Sequence, residues 1–141
     1  MSNKIVIGDA DSLIALAYQD DANHARAQET SEWLLSRRYE IIYPNTAILE
    51  AITALKRSLG LVDEANLIDK QYQLGAFAIE YVDEKTQQRA SQRFEKTISK
   101  KNTIFDAIVV ETAIKLGADY IFSFDSWYPK EDFDLVEIPE K

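Results

Sequence analysis

Short apolar runs alternate with amphipathic, helix-length stretches along the whole sequence. That alternation predicts an α/β fold: a three-layer sandwich with a central, mostly parallel sheet of four to five strands and helices on both faces. The runs themselves point the same way. They are nearly all apolar instead of alternating, as in strands buried on both faces. No repeat, linker or low-complexity segment breaks the pattern, so residues 1–141 read as one domain.

The first run, Lys4–Gly8, is a strand that ends at Asp9, and LIALAY after it is a short helix. Asn23–Arg38 carries a helical pattern with Ala27, Trp33 and Leu34 among its apolar positions. His24, at its start, reads as a capping or surface residue. Glu40–Tyr43 is a second strand, closed by Pro44. Asn45 or Thr46 caps a long helix that reaches about Leu59 and stops at Gly60, with Ile48, Ile52, Leu55 and Leu59 as its stripe. Leu61–Leu74 repeats the pattern through Leu61, Ala65, Ile68 and Tyr72. The two helices form a hairpin that could cover the sheet edge or offer a homodimer surface. Phe77–Val82 is a third strand, and Asp83 starts a polar helix to about Ser99. Phe105–Leu116 is a helix stopped by Gly117. Tyr120–Phe124 is the next strand, with Asp125 at its end, and Asp134–Ile138 closes the chain as an edge strand.

Composition narrows the chemistry. Hydrophobic residues make up 46% of the chain, which places it among globular proteins. With no cysteine, disulfides and thiolate zinc sites are excluded, and the single histidine excludes a multi-histidine site. No apolar run is long enough to span a membrane and no signal-peptide pattern is present, so a cytoplasmic location is expected. A net charge of −8 argues against broad attraction to nucleic acid. A nucleic-acid enzyme of this charge needs a local basic patch and a way to neutralise its carboxylates.

The acids hold telling places. Asp9 and Asp125 end strands, and in open α/β sheets sites form outside the carboxyl ends of strands. Asp106 shares a helix face with Val109, Val110, Ala113 and Gly117, where an ionised carboxylate is costly without a partner. It equally fits as an N-terminal acid favoured by the helix dipole. Asp9, Asp11 and Ser12 also fit turn and N-cap roles. Glu50 lies about 160° from the middle of its helix's apolar stripe, so the wheel puts it in solvent. Ala47, Ala51 and Ala54 extend the non-polar surface part way towards it, so this helix could pack on two sides. If Asp9, Glu50, Asp106 and Asp125 meet, they need counter-charge. Oxygen ligands without Cys or His suit Mg²⁺ or Mn²⁺, and the chemistry that follows is metal-assisted phosphodiester hydrolysis. Arg89, Arg93, Lys96 and Lys100 fall within about 60° on one helix, and Lys101 follows. That stripe is either a solvated face or a phosphate-binding track leading to Asp106.

The segments VIGDADSLIAL, PNTAILEAITAL and FDAIVVETAIKLGADYIFSFD, with their spacing, resemble the PIN-domain ribonucleases. That family includes the VapC-like toxins of bacterial and archaeal toxin–antitoxin pairs. The resemblance covers almost the whole chain. No single motif carries it; four acidic blocks in the right order do. It implies a PIN-like fold and Mg²⁺- or Mn²⁺-dependent endonucleolytic cleavage of single-stranded or structured RNA. It assigns catalysis and metal binding to Asp9, Glu50, Asp106 and Asp125, with Ser123 supporting the site. It also implies an antitoxin protein that would block the site. Asp11 departs from the pattern by standing where Asn, Ser or Thr is usual, which adds a fifth carboxylate. The resemblance says nothing of Arg93, Lys96, Lys100 and Lys101, which are read as substrate contacts from the stripe alone.

Three rival readings of the sequence exist. A haloacid-dehalogenase-type phosphatase also begins with a strand and DxD, here Asp9 and Asp11, but Leu13 stands where Thr or Val is normal. A response-regulator receiver needs an Asp ending a middle strand and a Lys after the last, and neither is evident. A catalytically silent PIN-like binding or scaffold module would fit the acidity, yet it has no reason to keep a self-repelling cluster.

Overall fold

Four strands make one parallel sheet in the order β3-β2-β1-β4: β1 Ile5–Gly8, β2 Glu40–Pro44, β3 Ala78–Glu80 and β4 Tyr120–Phe122. The computed structural model describes residues 4–139; the ends of the expected domain, residues 1–3 and 140–141, lie outside the described residues. β1 is central, and its side chains alternate between two covered faces. Ile7 packs against Val109, Val110 and Ala113 on one side. Val6 packs against Ala15, Ala27 and Leu34 on the other. Both are fully buried, worth about 1.5–3 kcal/mol each against exposure. This is the three-layer α/β architecture expected, and every observed strand pair is parallel.

The helices are α1 Ala10–Ala17, α2 His24–Ser36, α3 Asn45–Thr53, α4 Val62–Gln73, α5 Glu84–Lys96, α6 Ile104–Leu116 and α7 Trp127–Lys130. α3 runs on without a break into a π-helical turn, Ala54–Ser58, so the long helix reaches the predicted end but widens in its last turn. Tyr43, Ala47, Ile48, Ala51, Leu55 and Ile68 form the core beneath α3 and α4. α5 lies along α6 through Ala90, Ala107 and Ile108. Gly117 ends α6 with φ 64, a left-handed conformation that glycine adopts without strain.

Three expectations need correction. The strand expected over Tyr120–Phe124 stops at Phe122, and Asp125 lies beyond it. Side chains take over the next backbone donors: Phe124 N–H goes to Asp11 Oδ2 (2.8 Å) and Asp125 N–H to Ser123 Oγ (3.1 Å). The strand expected over Phe77–Val82 shrinks to Ala78–Glu80, because Val82 N–H is captured by Asn45 Oδ1 at 2.9 Å. The edge strand expected at Asp134–Ile138 is a single bridge, Ile121 with Leu135. Asp132, at φ 69, turns the chain beside β4, and Pro139 can donate nothing to a ladder.

Candidate active site

β1 and β4 deliver their carboxyl ends side by side, and Asp9 N–H donates to Phe122 O at 3.1 Å across that join. Asp9 is the N-cap of α1 and is almost fully buried. Its Oδ1 accepts from Ala10 N–H (2.7 Å), and its Oδ2 accepts from the Tyr128 hydroxyl (2.6 Å). Tyr128 also reaches Asp106 Oδ1 at 3.4 Å, so one phenol faces two of the acids. Asp106, in the first turn of α6, accepts from Thr103 N–H at 3.0 Å and thereby caps its own helix. Both roles open for it in the sequence, apolar-face acid and helix-start acid, are held at once.

Asn102 joins Asp106 to Asp125. Its Nδ2 donates to Asp106 Oδ2 (3.1 Å) and to Asp125 Oδ2 (2.9 Å), while its Oδ1 accepts from Ser99 Oγ at 2.7 Å. Asp125 turns its other oxygen to Trp127 N–H (2.9 Å) and so helps start α7. Ser123 donates to Asp11 Oδ2 at 2.8 Å and accepts from Asp125 N–H. A chain of neutral donors therefore ties Asp9, Asp106, Asp125 and Asp11 together. Glu50 stands outside that chain. It is half-buried and lines the same cavity, of about 410 Å³, as Asp9, Asp11, Asp106, Asp125 and Lys101. The helical wheel alone put it in solvent, but α3 packs on more than one side, as the alanines allowed, meeting α1, α4 and α6.

The electrostatics follow from crowding. Burial first, then Asp11 and Asp106, push the Asp9 carboxyl well above the usual range. Burial, followed by Asp106 and Asp11, pushes Glu50 up to about 7. Asp106 and Asp11 are raised too, chiefly by burial, against the pull of the N–H, amide and hydroxyl donors they accept from. Protons are the counter-charge that this cluster takes when no cation is at hand, and a divalent cation would compete with them. The donor set fits a hard cation, because it offers oxygens only. Asp11 Oδ1 is buried with no hydrogen-bond partner, an acceptor left over for such an ion. Among the described residues no three carboxylates converge as a ready-made cage. A cation here would rely on retained waters, as Mg²⁺ commonly does.

The predicted cations separate. Lys101 lines the acid cavity. Lys100 is exposed in the connector between α5 and α6. Arg93 and Lys96 line a second cavity of about 360 Å³. There Arg93 is committed to buried Glu111 (2.8 Å) and, more loosely, to Glu131 (3.7 Å). Sequence reasoning missed Asn102 and Tyr128. The only signal for Tyr128 was its closeness to Asp125, and nothing in the sequence marked Asn102.

A parallel α/β sheet with acids gathered beyond the carboxyl ends of the adjacent strands β1 and β4 defines a class of acidic-site domain. The PIN domain family model matches residues 6–132, and the chain belongs to the PIN domain family. The fold is similar to the crystal structure of Mycobacterium tuberculosis VapC20, a sarcin–ricin loop cleaving toxin. The TM-score is 0.81 at 20% identity, covering 94% of this chain and 99% of that one. No curated protein matches the sequence. No helix among the described residues is long and apolar enough to cross a membrane.

Proposed function

We propose that this single-domain chain is a Mg²⁺- or Mn²⁺-dependent endoribonuclease, acting in the cytoplasm as the toxin of a toxin–antitoxin pair. The observation that carries this reading is the gathering of five carboxylates in one cavity with Lys101 at its wall. Membership of the PIN domain family and the likeness to VapC20 support it. Asp9, Glu50, Asp106 and Asp125 would hold the metal. When bound, it supplies a water of lowered pKa and neutralises charge on the scissile phosphate. Tyr128 and Asn102 fix the directions of Asp9, Asp106 and Asp125, so these acids need little rearrangement when substrate arrives. Ser123 and Asp11 hold the backbone that carries Asp125. Lys101 supplies a positive charge for the incoming phosphate in an otherwise acidic cavity. Lys96 and Lys100 extend that attraction along the α5–α6 connector, whereas Arg93 is mainly a structural ion-pair partner. An antitoxin protein and a second copy of the chain, packed through the α3–α4 hairpin, are the expected partners.

A second reading, a catalytically silent PIN-like binding module, draws on one feature. Asp9, Asp106 and Asp125 already accept from protein donors, and among the described residues no three acids form a ready-made cage. The deciding experiment is cleavage of a mixed RNA pool with Mn²⁺ by wild type and by Asp106→Asn. The asparagine keeps an oxygen for Thr103 N–H, so the fold should survive. Metal-dependent cleavage by wild type, reduced at least about 100-fold in the variant, is expected for a residue of this kind. Equal cleavage by both would mark a contaminant. No cleavage together with no Mn²⁺ binding would select the binding module.

A further inference from the structure

We propose that Phe124 forms a nucleobase subsite beside the acids, on which the base next to the cleaved phosphate stacks. The inference rests on the nuclease reading of this cavity. A pocket that only handled phosphate and metal would need polar walls throughout. This one also has an apolar side, made by Phe124, Ile14 and Ala54. Phe124 is tied closely to the chemistry. It immediately precedes Asp125, and its own N–H is held by Asp11 Oδ2 at 2.8 Å. Its ring is braced from outside the acid cluster. The Arg26 guanidinium lies 5.1 Å from the ring centroid, and Phe122 meets it edge-on at 6.3 Å. A braced, half-buried aromatic that still lines a cavity is a platform on which a flat, uncharged group stacks.

The occupant follows from the charges around it. Five carboxylates repel an anionic group placed on the ring, while a neutral base carries no such penalty. The phosphate attached to that base would turn towards Lys101 instead. A base inside a duplex is stacked on its neighbours and cannot lie on Phe124, so the subsite takes unpaired bases of the single-stranded RNA that the nuclease reading already implies.

The test measures binding of fluorescein-labelled oligoribonucleotides of about twelve residues, within the range of single-strand site sizes. It uses the full chain carrying Asp106→Asn, with Mg²⁺, and compares oligoadenylate with an abasic oligomer of the same length. Adding Phe124→Ala or Phe124→Leu should weaken oligoadenylate binding about 5- to 100-fold and leave abasic binding unchanged, whereas Phe124→Tyr should restore it. The leucine variant keeps the apolar bulk, so loss of the ring is read apart from loss of packing. Unchanged oligoadenylate binding in the leucine variant, an equal loss for both oligomers, or no binding of either would overturn the subsite. Cleavage of the RNA pool by the wild type is scored separately. Cleavage with Phe124-independent binding sinks the subsite and leaves the nuclease. Phe124-dependent binding without cleavage does the reverse.

Discussion

Glu50 keeps its proton to about pH 7 because it is partly buried beside Asp106 and Asp11. An unfolded glutamate releases its proton near 4.5, so between about 4.5 and about 7 the folded chain holds the extra proton. Stability of the metal-free protein therefore falls as pH rises through that window, and it stays lower above it. Asp9, Asp11 and Asp106 are shifted in the same direction and add to the same slope. Glu50→Gln removes one contributor. In EDTA, the variant should melt higher than wild type at about pH 8, and the two curves should converge towards pH 4. Thermal melts across that range check this, and parallel curves would contradict it. Adding Mg²⁺ at the upper end should raise the wild-type melting point more than the variant's, since ligand binding to the folded state stabilises it. Sequence alone carried much of this site. Asp9 and Asp125 stood out because strand ends in α/β sheets are where sites form, and Asp106 because its helix face is otherwise apolar. Glu50 was legible only through the resemblance and the alanines beside it, because a wheel alone assumes one packed side. Tyr128 and Asn102 were invisible because each depends on a contact between distant segments: Tyr128 lies 119 residues from Asp9, and Asn102 lies 23 from Asp125.

Elements set how tightly those residues are held. Gly8, the last residue of β1, lets Tyr43 of β2 lie flat against the backbone just ahead of Asp9. A methyl at Gly8 would stand 2.6 Å from Cζ and 2.7 Å from Cδ1 of the ring. Tyr43 is buried, with its hydroxyl raised to about 12 by that burial, so its ring has little room to retreat. Gly8→Ala should therefore cost about 1–3 kcal/mol, the usual range for overpacking a core. Urea unfolding should show a lower midpoint with an unchanged slope. A wild-type midpoint would mean that the ring moves aside freely. Two of the boundaries that went astray, the ends of β4 and β3, share one physical cause. Asp11, Ser123 and Asn45 donate or accept across the ends of β4 and β3, and such side-chain competition with the ladder has no periodic signature. The π turn at Ala54–Ser58 is likewise unmarked, because the apolar spacing of Ile48, Ile52, Leu55 and Leu59 continues straight through it.

At the scale of the whole molecule, the chain carries −8 and yet leaves large apolar side chains in water. Leu67 and Leu74 share a side of α4 and are 57% and 76% exposed; Leu49, Leu59 and Val62 add to the exposed surface of the same hairpin. Among the described residues no strand or helix covers that surface, whereas Ala65 and Ile68 on the other side of α4 are buried. The proposed homodimer through this hairpin would bury the patch and would have to overcome repulsion between two acidic copies. The balance gives the dimer a diagnostic salt response. Added salt screens the like charges and leaves apolar burial intact, so association should tighten between low and physiological ionic strength. Light scattering should report about twice the 16.1 kDa chain mass at physiological salt. The double variant Leu67→Lys, Leu74→Lys should shift the mass to that of one chain, because it places buried charge at the contact. A wild-type monomer at all salt concentrations would rule the dimer out. A dimer that falls apart as salt rises would trace the association to ion pairs elsewhere on the surface, and the exposed leucines would then need another partner to cover them.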